Sequence, residues 1–203
     1  AHLKEQGFEV SNALRQHIRV TARVHGVITD GGEAPNIVPG HSAASFLVRA
    51  EDDAYLEEMK RRVIACFEAG ATATGATLEL RWNPNQYAAM NTNMAIAAAH
   101  RKNLAAVGRE LPETEKPRPM GSTDMGNVSK VVPGIHPGIA IAPADVNGHS
   151  PAFAEYAASP SGDKAVIDGA KALAMTAIDI LADADLRTAM RAEFERSRQA
   201  ASP

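Results

Sequence analysis

Two runs that alternate with a period of two, residues 21–29 and 43–50, constrain this chain more than any other feature. In the first, Val24 and Ile28 share one face while His25 and Val27 lie on the other. In the second, from Ala43 to Ala50, Phe46 and Val48 alternate with Ser45, Leu47 and Arg49. Such alternation marks strands with one buried face. Between them lies Asp30-Gly31-Gly32-Glu33-Ala34-Pro35-Asn36-Ile37-Val38-Pro39-Gly40, far longer than a hairpin turn needs, and long ordered loops concentrate function. Before the first run, Val10, Leu14 and Ile18 recur every four residues, which predicts a helix over 9–18.

After the second run, Asp52 and Asp53 open a helix, because acids favour the positive end of the helix dipole. Its apolar stripe is Leu56, Met59, Val63 and Cys66/Phe67, and Gly70 stands where a glycine stop belongs. Leu78, Leu80 and Trp82 alternate as a third strand. The expected order is α-β-β-α-β, one strand short of a βαββαβ split unit, with the missing strand expected ahead of residue 1. Asn83-Pro84-Asn85 then breaks the pattern and predicts two α/β pieces, residues 1–83 and 84–203. The second piece reads as a helix over 91–107, a Pro-rich connector from Leu111 to Pro119, and a glycine-hydroxyl loop. A short strand from Gly138 to Ala142, a long helix over 162–182 and a charged helix over 185–198 complete it. On the long helix Val166, Ala170, Leu173, Ala177 and Ile180/Leu181 are expected to face a core.

Composition narrows the class. Hydrophobic residues at 45% and charged ones at 22% are those of a globular chain, while 4% aromatics require a core of small aliphatic side chains. A net charge of −3 with no Lys/Arg cluster gives no reason to expect nucleic acid. No apolar run approaches the ~20 residues that span a bilayer, and no signal peptide opens the chain, so the cytoplasm is the default expectation. The one cysteine, Cys66, can form no internal disulfide and reads as a small buried hydrophobe.

Side chains suited to chemistry gather in the third quarter, in Pro119-Met120-Gly121-Ser122-Thr123-Asp124-Met125-Gly126-Asn127-Val128-Ser129, Ile135-His136-Pro137 and Asn147-Gly148-His149-Ser150-Pro151. His149, between a turn-forming Asn-Gly and a stiff proline, suits a metal through a neutral ring nitrogen. It reads also as a loop residue capping a helix that starts near Pro151. Gly121, Ser122 and Thr123 could present backbone N–H groups to a carboxylate or an oxyanion at a helix N-terminus, or could be an ordinary cap. His136 reads as catalytic or as structural. Asn36 and Arg49 together suit a carboxylate, which the planar fork of an arginine pairs bidentately; the alternative is a turn asparagine and a solvated arginine. His25 carries the same ambiguity. A His-x-Asp metal motif occurs nowhere in the chain.

The segment Val24-His25-Gly26-Val27-Ile28-Thr29-Asp30-Gly31-Gly32-Glu33-Ala34-Pro35-Asn36-Ile37-Val38-Pro39, with Val48-Arg49-Ala50, resembles the dimerisation (lid) domain of the zinc aminoacylase/carboxypeptidase family. The subgroup most similar to it is the amidohydrolases related to p-aminobenzoyl-glutamate hydrolase. The third-quarter segments, continuing through Gly148-His149-Ser150-Pro151-Ala152-Phe153, resemble the C-terminal half of that family's catalytic domain. The resemblance implies an α+β lid of ferredoxin-like type, lacking its first strand, joined to half of an α/β zinc-exopeptidase domain. It implies two zinc ions, with His149 as a metal ligand, and a homodimer formed through the lid. Asn36 and Arg49 would hold the carboxylate of a small amide substrate, Gly121 to Thr123 would lie on the substrate-facing loop, and His136 would be catalytic. The other metal ligands, the general-base glutamate and the lid's substrate-contacting histidine have no counterpart here, and His2 and His17 lack the matching context. Two functions are therefore expected: the C-terminal portion of a metal-dependent amidohydrolase, inactive alone, or a non-catalytic dimerisation or binding protein derived from one.

Overall fold

The computed structural model describes residues 13–109 and 121–200. Val10, at the start of the helix expected over 9–18, and the connector from Leu111 to Pro119 lie outside them. The chain divides between Ala89 and Met90 into two compact units, both mixed or helical in content, so the α/β class expected from the pattern is the class observed.

In the first unit β1 (Arg23–Asp30) and β2 (Ala43–Arg49) pair antiparallel, with Val24 opposite Val48 and Gly26 opposite Phe46. The ring of Phe46 occupies the place where a Cβ on Gly26 would sit, so glycine there lets the side chain cross the ladder. Helix α1 (Asp53–Thr74) covers the inner face. Ala22, Val24, Tyr55, Met59 and Val63 form the core, and Leu14, Ile18, Phe46, Val48 and Phe67 pack around it. Phe46 and Phe67 meet edge to face with centroids 5.0 Å apart. Asp52 caps α1 by accepting the Tyr55 N–H at 2.6 Å.

Of the helix expected over 9–18, Ala13 and Leu14 are helical, a 3-10 turn follows at Arg15–His17 and the chain is extended at Ile18, while residues 9–12 lie outside the described ones. Two expectations for this unit are corrected. Gly70 is not the stop: it is buried inside α1, which continues to Gly75, whose φ of 69° and N–H to the Ala71 carbonyl close the helix. The strand expected at Leu78, Leu80 and Trp82 has no ladder partner, because β1 and β2 make the only sheet among the described residues. The segment returns beside α1 instead, held by Lys60 over the Trp82 ring, by Lys60 donating to Gln86, and by the Ala89 N–H donating to Asp53 at 2.7 Å.

The second unit contains α2 (Met94–Ala106), α3 (Met125–Val131), α4 (Pro151–Ala157), α5 (Pro160–Ala182) and α6 (Ala184–Ala200). Ile96, His100, Asn103 and Leu104 of α2 are buried, as are Gly162, Ala165, Asp168, Ala172 and Thr176 of α5. The Thr176 hydroxyl donates to the Ala172 carbonyl at 2.7 Å, which leaves its oxygen to accept from His100 Nδ1 and Asn103 Nδ2, each at 3.2 Å. That arrangement places the imidazole proton on Nδ1, and burial holds the His100 pKa below its ordinary value. At the α2 N-terminus, where the first N–H groups lack helical partners, both carboxylate oxygens of Glu193 accept: from Met94 at 2.7 Å and from Ala95 at 3.0 Å. Asp168 is buried against Lys164 at 2.5 Å and Arg109 at 2.7 Å, and those two cations hold its carboxyl below the usual range.

Two more corrections follow. Gly138 to Ala142 is not a strand; its carbonyls are taken by Arg109, donating to Ala140 at 2.7 Å, and by Ser161, donating to Ile141 at 2.8 Å. On α5 the buried face is the small and polar one, whereas Val166, Leu173 and Leu181, expected in a core, are 70%, 50% and 78% exposed. The polar positions carry hydrogen bonds and ion pairs to α2 and Arg109, and small residues let two helices approach closely.

Candidate functional site

In the first unit the candidate residues share the outer face of the sheet and the loop beside it. Alternation turns Val24 and Phe46 inward, so Arg23, His25, Leu47 and Arg49 face outward, with Arg23 opposite Arg49 and His25 opposite Leu47. Like charges directly opposite oppose pairing. The Arg23 guanidinium is drawn to the carbonyls of Val20 and Ala22, the latter at 2.8 Å. That use of Arg23 leaves Arg49 as the outward cation of the pair. Asn36 is exposed on the long loop between the strands.

Asp30 pins both ends of that loop. One carboxylate oxygen accepts the Gly32 N–H at 3.0 Å, and the other meets His41 Nδ1 at 2.9 Å. Gly32 adopts a φ of 95° with the Pro39 ring against the place of its missing Cβ. Asp30 and His41 are partners that the sequence pattern alone does not pair. Their signal is an acid at the end of one strand and a histidine just before the next.

In the second unit α3 starts after Asp124 with no side-chain cap, and just ahead of it the Thr123 hydroxyl accepts the Met125 N–H at 3.2 Å. The next two N–H groups go to the Thr123 and Asp124 carbonyls. Gly121 and Ser122 are exposed ahead of this turn. Ser129, one α3 turn on and fully buried, donates to the Gly126 carbonyl at 2.6 Å and accepts the Asn91 N–H at 2.9 Å. His136 is exposed, two residues beyond Gly134, which bridges Thr92 in parallel.

His149 is the unusual residue. Its φ is 60°, and it is the one non-glycine residue in the left-handed region among the described residues. Such a conformation costs on the order of 1–2 kcal/mol for a residue with a Cβ. It brings no capping bond in return, because Ser150 caps α4, accepting the Phe153 N–H at 3.2 Å and donating to the Asn147 carbonyl at 2.7 Å. The capping role expected of His149 therefore belongs to its neighbour. An exposed imidazole held in a strained turn by a capped helix is directed outward by its backbone, and strain of this kind collects at functional positions.

A metal centre needs more than this imidazole. No three His, Cys, Asp or Glu side chains lie together among the described residues, whereas a catalytic zinc normally takes three protein ligands. The described residues alone thus do not fit the two-ion site that the family resemblance implies; His149 supplies the chemistry of one ligand. No helix among them is long and apolar enough to cross a membrane.

No protein-family model matches the chain. It is 37% identical over 186 residues to the Xaa-Arg dipeptidase of Mus musculus, covering 91% of this chain and 43% of that protein. It is 36% identical over 190 residues to the Xaa-Arg dipeptidase of Homo sapiens, covering 93% and 43%. A shorter similarity, 35% over 74 residues, joins it to one component of the p-aminobenzoyl-glutamate hydrolase of Escherichia coli (strain K12), covering 36% of this chain and 15% of that component. The chain therefore spans less than half the length of the relatives it matches. With its lid and third-quarter motifs in order and this identity across more than nine tenths of its residues, the chain belongs to the aminoacylase/carboxypeptidase-type metallopeptidase family, and it corresponds to the C-terminal portion of it.

Proposed function

We propose that this polypeptide forms the lid and part of the catalytic domain of a metal-dependent peptidase or amidohydrolase that cleaves an amide bond beside a carboxylate-bearing residue. The observation that carries this reading is its identity, at 36–37%, to two dipeptidases along nearly its whole length. On this reading Arg49, outward on the lid sheet, pairs with the substrate carboxylate as a bidentate fork, and Asn36 on the pinned loop donates beside it. Gly121 to Thr123 border the substrate, His136 contacts the reacting amide, and His149 contributes one imidazole to the metal ions, zinc by family. The remaining ligands and the general base come from polypeptide with the family's N-terminal half. The lid forms a homodimer, which a sheet of two strands with outward apolar residues favours. The compartment is the cytoplasm. The 203-residue chain alone has negligible amidase activity.

The test is hydrolysis of Xaa-Arg dipeptides, other N-acyl amino acids and p-aminobenzoyl-glutamate by this chain, alone and co-expressed with the N-terminal half of a relative. Turnover of at least one substrate, only in the combination and only with metal, is the expected result. Tight zinc binding with hydrolysis by the chain alone would overturn the division of labour, and a metal-loaded combination inert toward the whole panel would overturn the activity.

A further inference from the structure

Three dipeptides in the chain join an aspartate or asparagine to a glycine: Asp30-Gly31, Asn147-Gly148 and Asp168-Gly169. In such a pair the glycine nitrogen, unshielded by any side chain, can reach the carbonyl carbon of the preceding side chain and close a five-membered ring. The fold blocks that reaction at two of the three. The Asp30 carboxylate is held at both oxygens, by the Gly32 N–H at 3.0 Å and by His41 Nδ1 at 2.9 Å. Asp168 is held by Lys164 and Arg109, and Gly169 lies inside α5, where the helix engages its N–H. Asn147-Gly148 differs on each count. Both residues are exposed, and they precede α4 outside any helix or strand. Among the described residues neither the Asn147 carboxamide nor the Gly148 N–H is tied to a partner. A Cβ on Gly148 would meet nothing within 4 Å, so no neighbour obstructs the nitrogen. The tie is on the peptide itself: the Ser150 hydroxyl, which accepts the Phe153 N–H at 3.2 Å, donates to the Asn147 carbonyl at 2.7 Å. That carbonyl oxygen takes up negative charge when the Gly148 nitrogen gives up its proton, so the bond stabilises the attacking anion.

We propose that Asn147-Gly148 is a self-modifying site, where the native turn promotes loss of the Asn147 amide and so limits the lifetime of the His149 conformation. The Gly148 nitrogen loses its proton to solvent and bonds to the side-chain carbonyl carbon of Asn147. The bond from that carbon to the amide nitrogen breaks, and the nitrogen leaves as ammonia with a proton from water. The product is a succinimide, which water opens at either carbonyl. Attack at the side-chain carbonyl gives aspartate on an unchanged backbone. Attack at the backbone carbonyl gives isoaspartate, whose main chain runs through the former side chain. The sum is an amide and a water converted to a carboxylic acid and ammonia, with nothing oxidised or reduced. In the isoaspartyl form a methylene is inserted ahead of Gly148 and His149, and the carbonyl that Ser150 grips becomes a free carboxylate. His149 holds its φ of 60° only while its surroundings over-determine it, so the turn then relaxes. Nothing in this chemistry depends on the activity proposed above, so a combination of chains that hydrolyses nothing leaves the site standing.

The 203-residue chain is kept folded at neutral pH and physiological temperature for weeks, and samples are digested and mapped by mass spectrometry. The peptide with Asn147 should gain the mass of an amide-to-acid exchange and split into aspartyl and isoaspartyl forms. It should do so at least about tenfold faster than the peptides with Asn36 and Asn85, which are also exposed but precede Ile37 and Gln86. Gly148→Ala should slow the reaction by about tenfold or more with the thermal midpoint unchanged, because the space for a Cβ is open. Ser150→Ala should slow it by roughly threefold to tenfold, the range one hydrogen bond to the attacking anion supplies, and Ser150→Thr should restore it. A hydroxyl that merely orders the loop predicts the opposite sign, since loosening the turn would quicken the attack. Hydrogen exchange then reads the turn: protection of the Phe153 N–H should fall in the isoaspartyl chain and persist in Asn147→Asp, which adds the charge without the methylene. Asn147 reacting no faster than Asn36 and Asn85 overturns the proposal. So does a parent chain that reacts faster in urea than when folded, a Ser150→Ala chain that reacts faster than the parent, or a Phe153 N–H equally protected in the isoaspartyl form.

Discussion

Replacing Met59 by alanine tests whether the lid unit is a sheet with one dry face. Met59 is fully buried, with Val24, Tyr55 and Val63 in its cluster and the Phe46 and Phe67 rings packed around it. Truncating such a side chain removes its transfer energy and leaves a cavity, a loss of about 2–5 kcal/mol. The sheet has two strands and the helix is rigid, so collapse around the void is limited; about 3 kcal/mol is expected. For a unit of this size each kcal/mol moves the midpoint by roughly 4–8 °C, and total stability is only about 5–15 kcal/mol. Met59→Ala should therefore lower the midpoint by roughly 12–24 °C, whereas Met59→Leu should cost under about 1.5 kcal/mol. The single tryptophan, Trp82, lies in this unit with the Lys60 ammonium over its ring, so urea unfolding followed by its fluorescence reads the right part of the chain. Leu47→Ala, on the outer sheet face, is the control and should shift stability by no more than about 0.5 kcal/mol. Equal costs at Met59 and Leu47, or a Met59→Ala loss below about 1 kcal/mol, would refute the assignment of inner and outer faces.

Burial lowers the His100 pKa, so the unfolded chain binds its proton more readily than the folded one. The stability this contributes is present above the ordinary value of 6.5 and is lost as pH falls below it; urea midpoints between about pH 7.5 and 5 should fall, and less steeply in His100→Gln. Glu193→Ala leaves two N–H groups of α2 without their charged acceptor and should cost about 1.5–3 kcal/mol, read by calorimetry. In the active combination His149→Ala should weaken metal retention and depress kcat strongly, while Arg49→Ala should mainly raise KM, because a ligand and a carboxylate contact fail differently; the reverse ordering would dismiss both roles. Sedimentation at micromolar concentration should give a species near twice 21.4 kDa, and a monomer would dismiss the lid dimer.

Local pattern was legible where the partner lies close in sequence. The period-two runs became β1 and β2, and the stripe from Leu56 to Phe67 became α1, because each finds its complement within one small unit. Helix ends were less legible. Gly70 and Gly75 are both glycines late in a helical pattern, and only the backbone shows that one is a close-packed interior residue and the other a left-handed cap. For the site, the residue types were readable while the supports were not. Nothing local announces that Asp30 pins both ends of the long loop, or that Ser150 takes the cap and leaves His149 in a strained turn.

The remaining misreadings share one physical cause. Leu78, Leu80 and Trp82, and the run from Gly138 to Ala142, have the alternation of strands, yet a strand exists only with a neighbour to take its N–H and carbonyl groups. Side chains bond to the second run instead, those of Arg109 and Ser161. The α5 stripe is the same situation in a helix: a face written for burial that no described residue covers. Periodicity therefore reported what these segments are built to meet, and the structure reports what they do meet. In α1 the two agree. In α5 they diverge along one continuous face, whose aliphatic side chains stay exposed among the described residues.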